Sequence, residues 1–560
     1  MKRQIIVKNI RQPLTAPLED AFMAARRRLS LKDGEYIRAA LHKRSIDARR
    51  RSGEAPTFVM SVTVECEIDK KKLERISRLS NDVEIVSRAP MHVEYGSEPL
   101  ASRPIVVGFG PAGMFAALML AENGYAPLVI ERGSDVASRT RAVDEFIKTG
   151  KLDADTNIQF GAGGAGTFSD GKLVTRINDS RCAYVLERLV EFGAPEEILW
   201  LAKPHVGTDR LLGVVEGIAG RVTELGGEIR FDTKLTDLTV TNGRVTSVSL
   251  TSRGAAETIE CDAVILAVGH SARDTYDMLA SRGFTLLPKP FSVGVRAEHL
   301  QSDIDAALYG DAVNLCGRDG RRILPAGEYA LSYREAQSGI VSDTARGVYS
   351  FCMCPGGEVM ASASEEGGVV TNGMSRYARD GRNANAAIVV SVFPEDIGGK
   401  WRDGVEFQRS LERAAFKAAD TGEHDYRAPV ETLGDFLDNR TSHFTEPSRV
   451  APSYRNGAYT LCDMSQILPT FVCDMLKKGF NNFGKKMRGF DARDTVLTGV
   501  ETRTSSPVRI PRGETLTASA ASNLYPCGEG AGYAGGITSA AVDGINTAMA
   551  LMRVWGPWEK

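Results

Sequence analysis

Phe58, Met60, Val62, Val64 and Cys66 alternate with residues that grow more polar, the two-residue period of a half-buried strand. An apolar run at 5–10 predicts another strand, and the spacing over 18–29 an amphipathic helix. Asp69 can cap a short helix through Leu73, Ile76 and Leu79. Strands at 83–86 and 92–95 complete a small α/β module, and Gly96-Ser97-Glu98-Pro99 reads as a linker. Beyond it lie apolar strands at 105–107 and 128–130 with a helix of small residues between them. Further strands are expected at 226–231 and 261–271. Residues 238–240 and 245–250 form a meander that turns at Asn242-Gly243. From about 286 to 515 Gly, Asn, Ser and Arg are dense, with a strand at 387–393 and helices near 407–420 and 466–480.

At 560 residues the chain has room for several domains, and its formal net charge of -2 implies no global attraction to nucleic acid or membrane. Nine cysteines, scattered and odd in number, suit reduced thiols in a cytoplasmic protein. No apolar run reaches the length of a membrane span. Residues 1–98 are locally basic, with 20 Lys and Arg against 14 Asp and Glu. The clusters at 26–28, 43–44, 49–51 and 70–72 read either as solvated faces or as an RNA-binding surface.

The strongest chemical signal is at 105–132. The strand at 105–107 enters Gly108-Phe109-Gly110-Pro111-Ala112-Gly113, a helix follows, and the next strand ends in Glu131, 23 residues after Gly108. Gly108 permits the tight turn, Gly110 a close approach to a pyrophosphate, and Gly113 close packing of helix on strand. The helix N-terminus favours phosphate, and Glu131 can accept from ribose hydroxyls. A second glycine-rich loop, residues 160–172, includes Gly163, Gly164, Gly166, Thr167 and Lys172, and implies backbone approach to a ligand.

Three later stretches bear on which dinucleotide binds. Residues 261–271 end in an Ala267-x-Gly269 pattern. Leu524 to Gly530 ends in Gly528-Glu529. Gly535-Gly536-Ile537 opens another helix of small residues. With KRSIDAR at 43–49, FSVGVRAEH at 291–299, FCMCPGG at 351–357, TNGMS at 371–375 and GVETRTSSPVR at 499–509, the chain resembles the bacterial and plastid FAD-dependent dehydrogenases. These lie within the glutathione-reductase-type FAD/NAD(P)-binding superfamily. The resemblance implies an α/β fold: a Rossmann-like FAD-binding domain over 102–285 and 516–560, split by a mixed, β-rich substrate domain over 286–515, behind the module at 1–98. It implies FAD contacts at Gly108, Gly110, Pro111, Ala112, Gly113, Glu131, Arg132, Gly163, Gly164, Gly166, Thr167, Lys172, Leu235, Ala267, Gly269, Gly528, Glu529, Gly536 and Ile537. Glu529, one methylene longer than the usual Asp, would hold the ribityl chain.

The implied function is oxidoreduction through flavin N5 on a small-molecule substrate. No separate NAD(P)H fingerprint is present, so a nicotinamide would enter the substrate cleft transiently as hydride donor. Two alternatives are a tRNA-modifying flavoprotein that holds RNA with residues 1–98, and an FAD-bound regulatory or scaffold protein without turnover. Candidates for catalytic side chains are Arg503, Ser505 and Arg509, suited to an anionic substrate, then His270, and the pair Cys352 and Cys354. The thiols can be structural, redox-active or soft-metal ligands. No Cys or His cluster completes a zinc set, so no metal is expected. An extended Cys-x-Cys strand disfavours an unstrained disulfide.

Overall fold

Alternation builds the N-terminal unit. In Thr57–Glu67 every second residue from Phe58 to Cys66 is buried. The strand lies between Tyr36–Asp47 and Lys2–Pro13, and Val83–Ile85 adds the far edge, all antiparallel. Leu18–Arg28 packs Ala21 and Ala25 onto this core, and Asp69 caps Lys70–Ser77 by accepting from Lys72 N (2.7 Å). The computed structural model describes residues 2–49, 55–78, 81–86, 91–317, 319–335 and 345–558. Leu79 of the expected helix and Arg50 and Arg51 of the basic clusters lie outside them.

The strand expected at 92–95 is not formed, and the one over Tyr36–Asp47 has no counterpart among the elements expected from sequence. It is an edge strand with no fully buried position, so the alternation that marks its neighbour is missing. The compact unit comprises Met1–His92, Pro195–His205 and Asp305–Gly327. Tyr309 and Leu324 join its core, and Arg44 exchanges backbone hydrogen bonds with Trp200 and Ala202. Several of its cations face acids, as in Lys8–Glu84, Arg38–Glu65 and Lys72–Glu35.

The second unit comprises Val93–Ala194, Val206–Ile304 and Glu328–Lys560. Its parallel sheet runs, in spatial order, Leu524–Pro526, Val264–Leu266, Ile105–Val107, Leu128–Ile130 and Glu228–Arg230. The first four strands are buried throughout, as parallel strands covered on both faces require. Helix Pro111–Glu122 follows one central strand, and helix Ile537–Met552 follows the edge strand Leu524–Pro526. The meander is Thr233–Thr241, Arg244–Ser252 and Ala255–Glu260. Asn242 and Gly243 both have positive φ (51° and 71°), the conformation of a type I′ hairpin turn.

The chain leaves the parallel sheet after Val264–Leu266 and rejoins it at Leu524–Pro526. Between them it builds a seven-stranded sheet around the buried strands Phe291–Leu300 and Asn383–Val392. Helices Trp401–Ala419 and Thr470–Lys486 belong to this region. No helix among the described residues is long and apolar enough to cross a membrane.

Candidate functional site

The sharp turn after Ile105–Val107 is dictated by backbone crowding. Gly108 has φ 98°, and a Cβ there would lie 2.3 Å from the Ala267 carbonyl oxygen. A Cβ on Gly113 would lie 1.9 Å from Gly108 O. Gly110 differs: the nearest protein atom to its Cβ position is Gly164 Cα at 3.7 Å, and the residue lines a cavity of about 360 Å³. Gly269, Gly535 and Gly536 line the same cavity, and no protein atom lies closer than 4.0 Å to their Cβ positions. This glycine cradle holds space for a ligand backbone. Helices Pro111–Glu122 and Ile537–Met552 both start on the cavity wall with no side chain capping their first N–H groups. Two such ends favour negative charge between them.

Glu131 is buried on the cavity wall. Its Oε2 accepts from Phe109 N (2.7 Å), and its Oε1 from Gly133 N (3.0 Å) and Gly161 N (2.9 Å). A carboxylate offers about four acceptor positions, so one is left for a ribose hydroxyl. Glu131 thus joins both glycine-rich loops as well as facing the cavity. Arg132 pairs with Asp274 (2.8 Å) and lies over the Phe160 ring at 4.3 Å.

Arg139, not among the residues expected from sequence, fixes the second loop. It is 1% exposed and donates to the carbonyls of Asn157, Ile158, Gly161, Ala162 and Gly164 at 2.6–3.2 Å. Burial brings its pKa down to about 10, so it stays charged at neutral pH. The signal for it is faint: one Arg on the otherwise apolar face of Val136–Thr149.

Pro111, Ala112, Gly164, Gly166, Lys172, Leu235, Ala267, Glu529 and Ile537 also line the cavity. Gly113, Gly163, Thr167 and Gly528 stand behind its wall. Gly163 N donates to Phe109 O (2.8 Å), Thr167 Oγ1 to Ala162 O (3.4 Å), and Gly528 N to Asp543 (2.7 Å). His270 and Glu529 meet at 3.3 Å (Nδ1 to Oε1), and the buried His270 Nε2 has no partner among the described residues.

Of the anion-binding candidates only Arg503 reaches the cavity. It shares Glu412 with Arg273, both bidentate at 2.8–3.1 Å, while Glu365 takes Arg273 and Arg409. Against the burial that would raise it, Arg273 and Arg503 hold the Glu412 carboxyl well below the usual range. Arg409 also pairs with Glu406 (2.7 Å), so three guanidiniums meet three carboxylates in this cluster. Ser505 does not line the cavity, and Arg509 is exposed, lying over the Tyr533 ring at 5.0 Å and donating to Gly532 O (3.3 Å).

Cys352 lines the cavity and Cys354 lies behind it. The strand Gly347–Cys354 is not extended here. Phe351 pairs with Ala387 and Cys354 with Asn385, so one extra residue bulges out, and Cys352 has φ 44°. The expectation of a stretched Cys-x-Cys therefore fails: a bulge bends the strand and re-aims a side chain. A left-handed non-glycine residue costs about 1–3 kcal/mol and persists where its surroundings hold it. Arg296, 0% exposed, donates to Cys352 O (3.2 Å), pairs bidentately with Glu501 (2.7 and 3.0 Å) and reaches Asn385 (2.8 Å). The Cys354 thiol, and after it Arg296 and Lys172, hold the Cys352 thiol below its ordinary pKa against the burial that opposes them. Cys354 itself is driven up.

The chain is similar to several known proteins. Residues 102–286 match the model "Pyridine nucleotide-disulphide oxidoreductase", and residues 290–504 match "FAD-dependent protein, C-terminal domain-like". An uncharacterised protein of Clostridium beijerinckii (strain ATCC 51743 / NCIMB 8052) is 46% identical over 523 residues, 93% of each chain. Solved structures are more distant. The flavin-dependent brominase Bmp2 is 11% identical over 80% of this chain and 78% of its own, with a TM-score of 0.34. A geranylgeranyl bacteriochlorophyll reductase-like protein of Thermoplasma acidophilum is 13% identical over 82% of this chain and 79% of its own, with a TM-score of 0.31. On the extent of the Clostridium match and the two domain models, the chain belongs to a family of FAD-dependent oxidoreductases.

Proposed function

We propose that the protein transfers a hydride between a small, anionic substrate and FAD held in the cavity described above, with NADH or NADPH as a transient donor. The observation that carries this reading is the glycine cradle of Gly110, Gly269, Gly535 and Gly536 between two uncapped helix N-termini. Bound FAD supplies two-electron chemistry at flavin N5. The residues do the rest. The N–H groups at the start of Pro111–Glu122 hold phosphate, and Glu131 orients a ribose through its remaining acceptor position. The start of Ile537–Met552 stabilises negative charge. His270 keeps one ring nitrogen on Glu529 and offers Nε2 to a ligand. Arg503, on the cavity wall, attracts an anionic substrate.

The test is the visible spectrum of the purified protein under anaerobic conditions, before and after NADH or NADPH. A flavin band that bleaches supports the reading with its nicotinamide donor. A band that persists with both removes the nicotinamide step, and no band even after FAD is added overturns the reading.

A further inference from the structure

The two helices of the N-terminal unit place their charges in opposite ways. Leu18–Arg28 has Glu19 and Asp20 in its first turn and Arg26, Arg27 and Arg28 in its last, the order the helix dipole favours. Lys70–Ser77 opens on Lys70, Lys71 and Lys72 and has no acid in its first turn, the order the dipole opposes. Lys72 is compensated by Glu35. Lys70, Lys71, Arg75 and Arg78 are exposed and have no side-chain partner among the described residues. Lys71 and Arg75 are i,i+4 neighbours of like charge, which weakens a helix, and Arg78 extends the same face. Elsewhere in the unit Lys8, Arg38 and Arg49 meet Glu84, Glu65 and Asp47. Lys72 Nζ also donates to Ser30 O (3.0 Å), so the exposed Arg27 and Lys32, on either side of Ser30, lie towards the start of Lys70–Ser77.

Cations kept where they weaken their own helix, and left without acids, point to a partner outside the chain. We propose that this face is a docking surface for double-stranded RNA, held through its phosphates by Arg27, Lys32, Lys70, Lys71, Arg75 and Arg78. From Lys71 to Arg78 the helix covers about 10 Å, enough to follow successive phosphates of one strand. Besides Glu74, the exposed side chains described on this helix are all cations. Such a face reads no base edge and stacks no base. Double-stranded RNA asks for neither, because its major groove is closed to side chains and it is recognised by shape and backbone. A membrane surface would call for apolar groups to insert, and here Ile76 is buried while Leu73 packs against the core. The formal net charge of -2 gives the whole chain no general attraction to polyanions, so the contact is local. The surface does not rest on the FAD reading.

The test is fluorescence anisotropy of the full-length protein with a labelled RNA duplex over a range of salt. Binding should be present at low salt and weaken as salt rises, because the cations displace counterions from the phosphates. The triple variant Lys71→Gln, Arg75→Gln, Arg78→Gln should bind about tenfold more weakly or worse at the same salt. Its slope of log affinity against log salt should be shallower by about 2 to 3. Lys485→Gln with Arg488→Gln, exposed cations of the second unit, should change neither. Thermal unfolding gives a second readout. The triple variant should melt no lower than the unmodified chain, since it removes like charges from one helix face. No binding at low salt, or equal binding by the triple variant, overturns the proposal. A lower melting temperature does so too, since the cations would then serve the fold. Tighter binding to a DNA duplex, to single-stranded RNA or to phosphatidylglycerol vesicles overturns the choice of partner.

Discussion

Two glycines of one turn do opposite jobs, and substitution separates them. Gly113→Ala puts a methyl 1.9 Å from Gly108 O, where backbone has to move. Gly110→Ala puts its methyl no closer than 3.7 Å to protein, but inside the cavity. Gly110→Ala should therefore keep the melting temperature of FAD-free protein within about 1–2 °C and weaken FAD binding tenfold or more, about 1.4 kcal/mol. Gly113→Ala should lower the melting temperature itself. Flavin fluorescence titration beside thermal unfolding distinguishes them. The motif was legible in sequence because its spacing is dictated by these clashes; which glycine serves the fold and which the ligand is decided by what surrounds each in space. Glu431, 1% exposed in Ala428–Thr432, gives a pH signature. Burial raises its pKa from 4.5 to about 8, although Met464 N donates to it (3.0 Å). The folded carboxyl keeps its proton where the unfolded chain has lost it. Its stability contribution is intact below about 4.5 and drains away as pH rises through 8. Glu431→Gln should raise the melting temperature more at pH 8 than at pH 5, since the neutral amide takes up no proton on folding. Equal gains at both would refute the buried-acid account.

At the scale of elements, the loop over 157–164 has almost no secondary structure and is held by one side chain from helix Val136–Thr149. Replacing Arg139 with Met strands five carbonyls that shared its charge. Several kcal/mol should go, as when a buried ionic partner is removed. Amide exchange at 157–164 should speed up by orders of magnitude while the seven-stranded sheet stays protected. Unchanged exchange in the loop would mean that Glu131 and the backbone bonds to Phe109 and Ser134 hold it without Arg139. Elements were legible where period and burial agree, as in Thr57–Glu67 and the turn at Asn242-Gly243. They were not where a side chain far along the sequence decides. The Cys352 bulge and the Arg273, Arg503 and Glu412 cluster depend on registers and on separations of 90 residues or more, which no local pattern records.

For the whole molecule, the N-terminal unit is discontinuous. Tyr309 and Leu324 complete the core begun by Ile5, Val7 and Val62. Deleting residues 1–92 should therefore not release a clean remainder. Size-exclusion chromatography and a hydrophobic dye should report aggregation, because 195–205 and 305–327 lose the core they pack in; a soluble, dye-silent remainder would contradict this. The same discontinuity sets a timetable for synthesis. The N-terminal core cannot close until residue 327 has left the ribosome. The cavity draws on residues near 108 and near 537, so it cannot form until both have been made. At about 5–20 residues per second, translation takes roughly half a minute to two minutes. Throughout that time Gly108-Phe109-Gly110 waits without the helix that completes its pocket. FAD is thus loaded only once the helix Ile537–Met552 has emerged, and a cell short of free FAD would accumulate empty chains, not stalled ones.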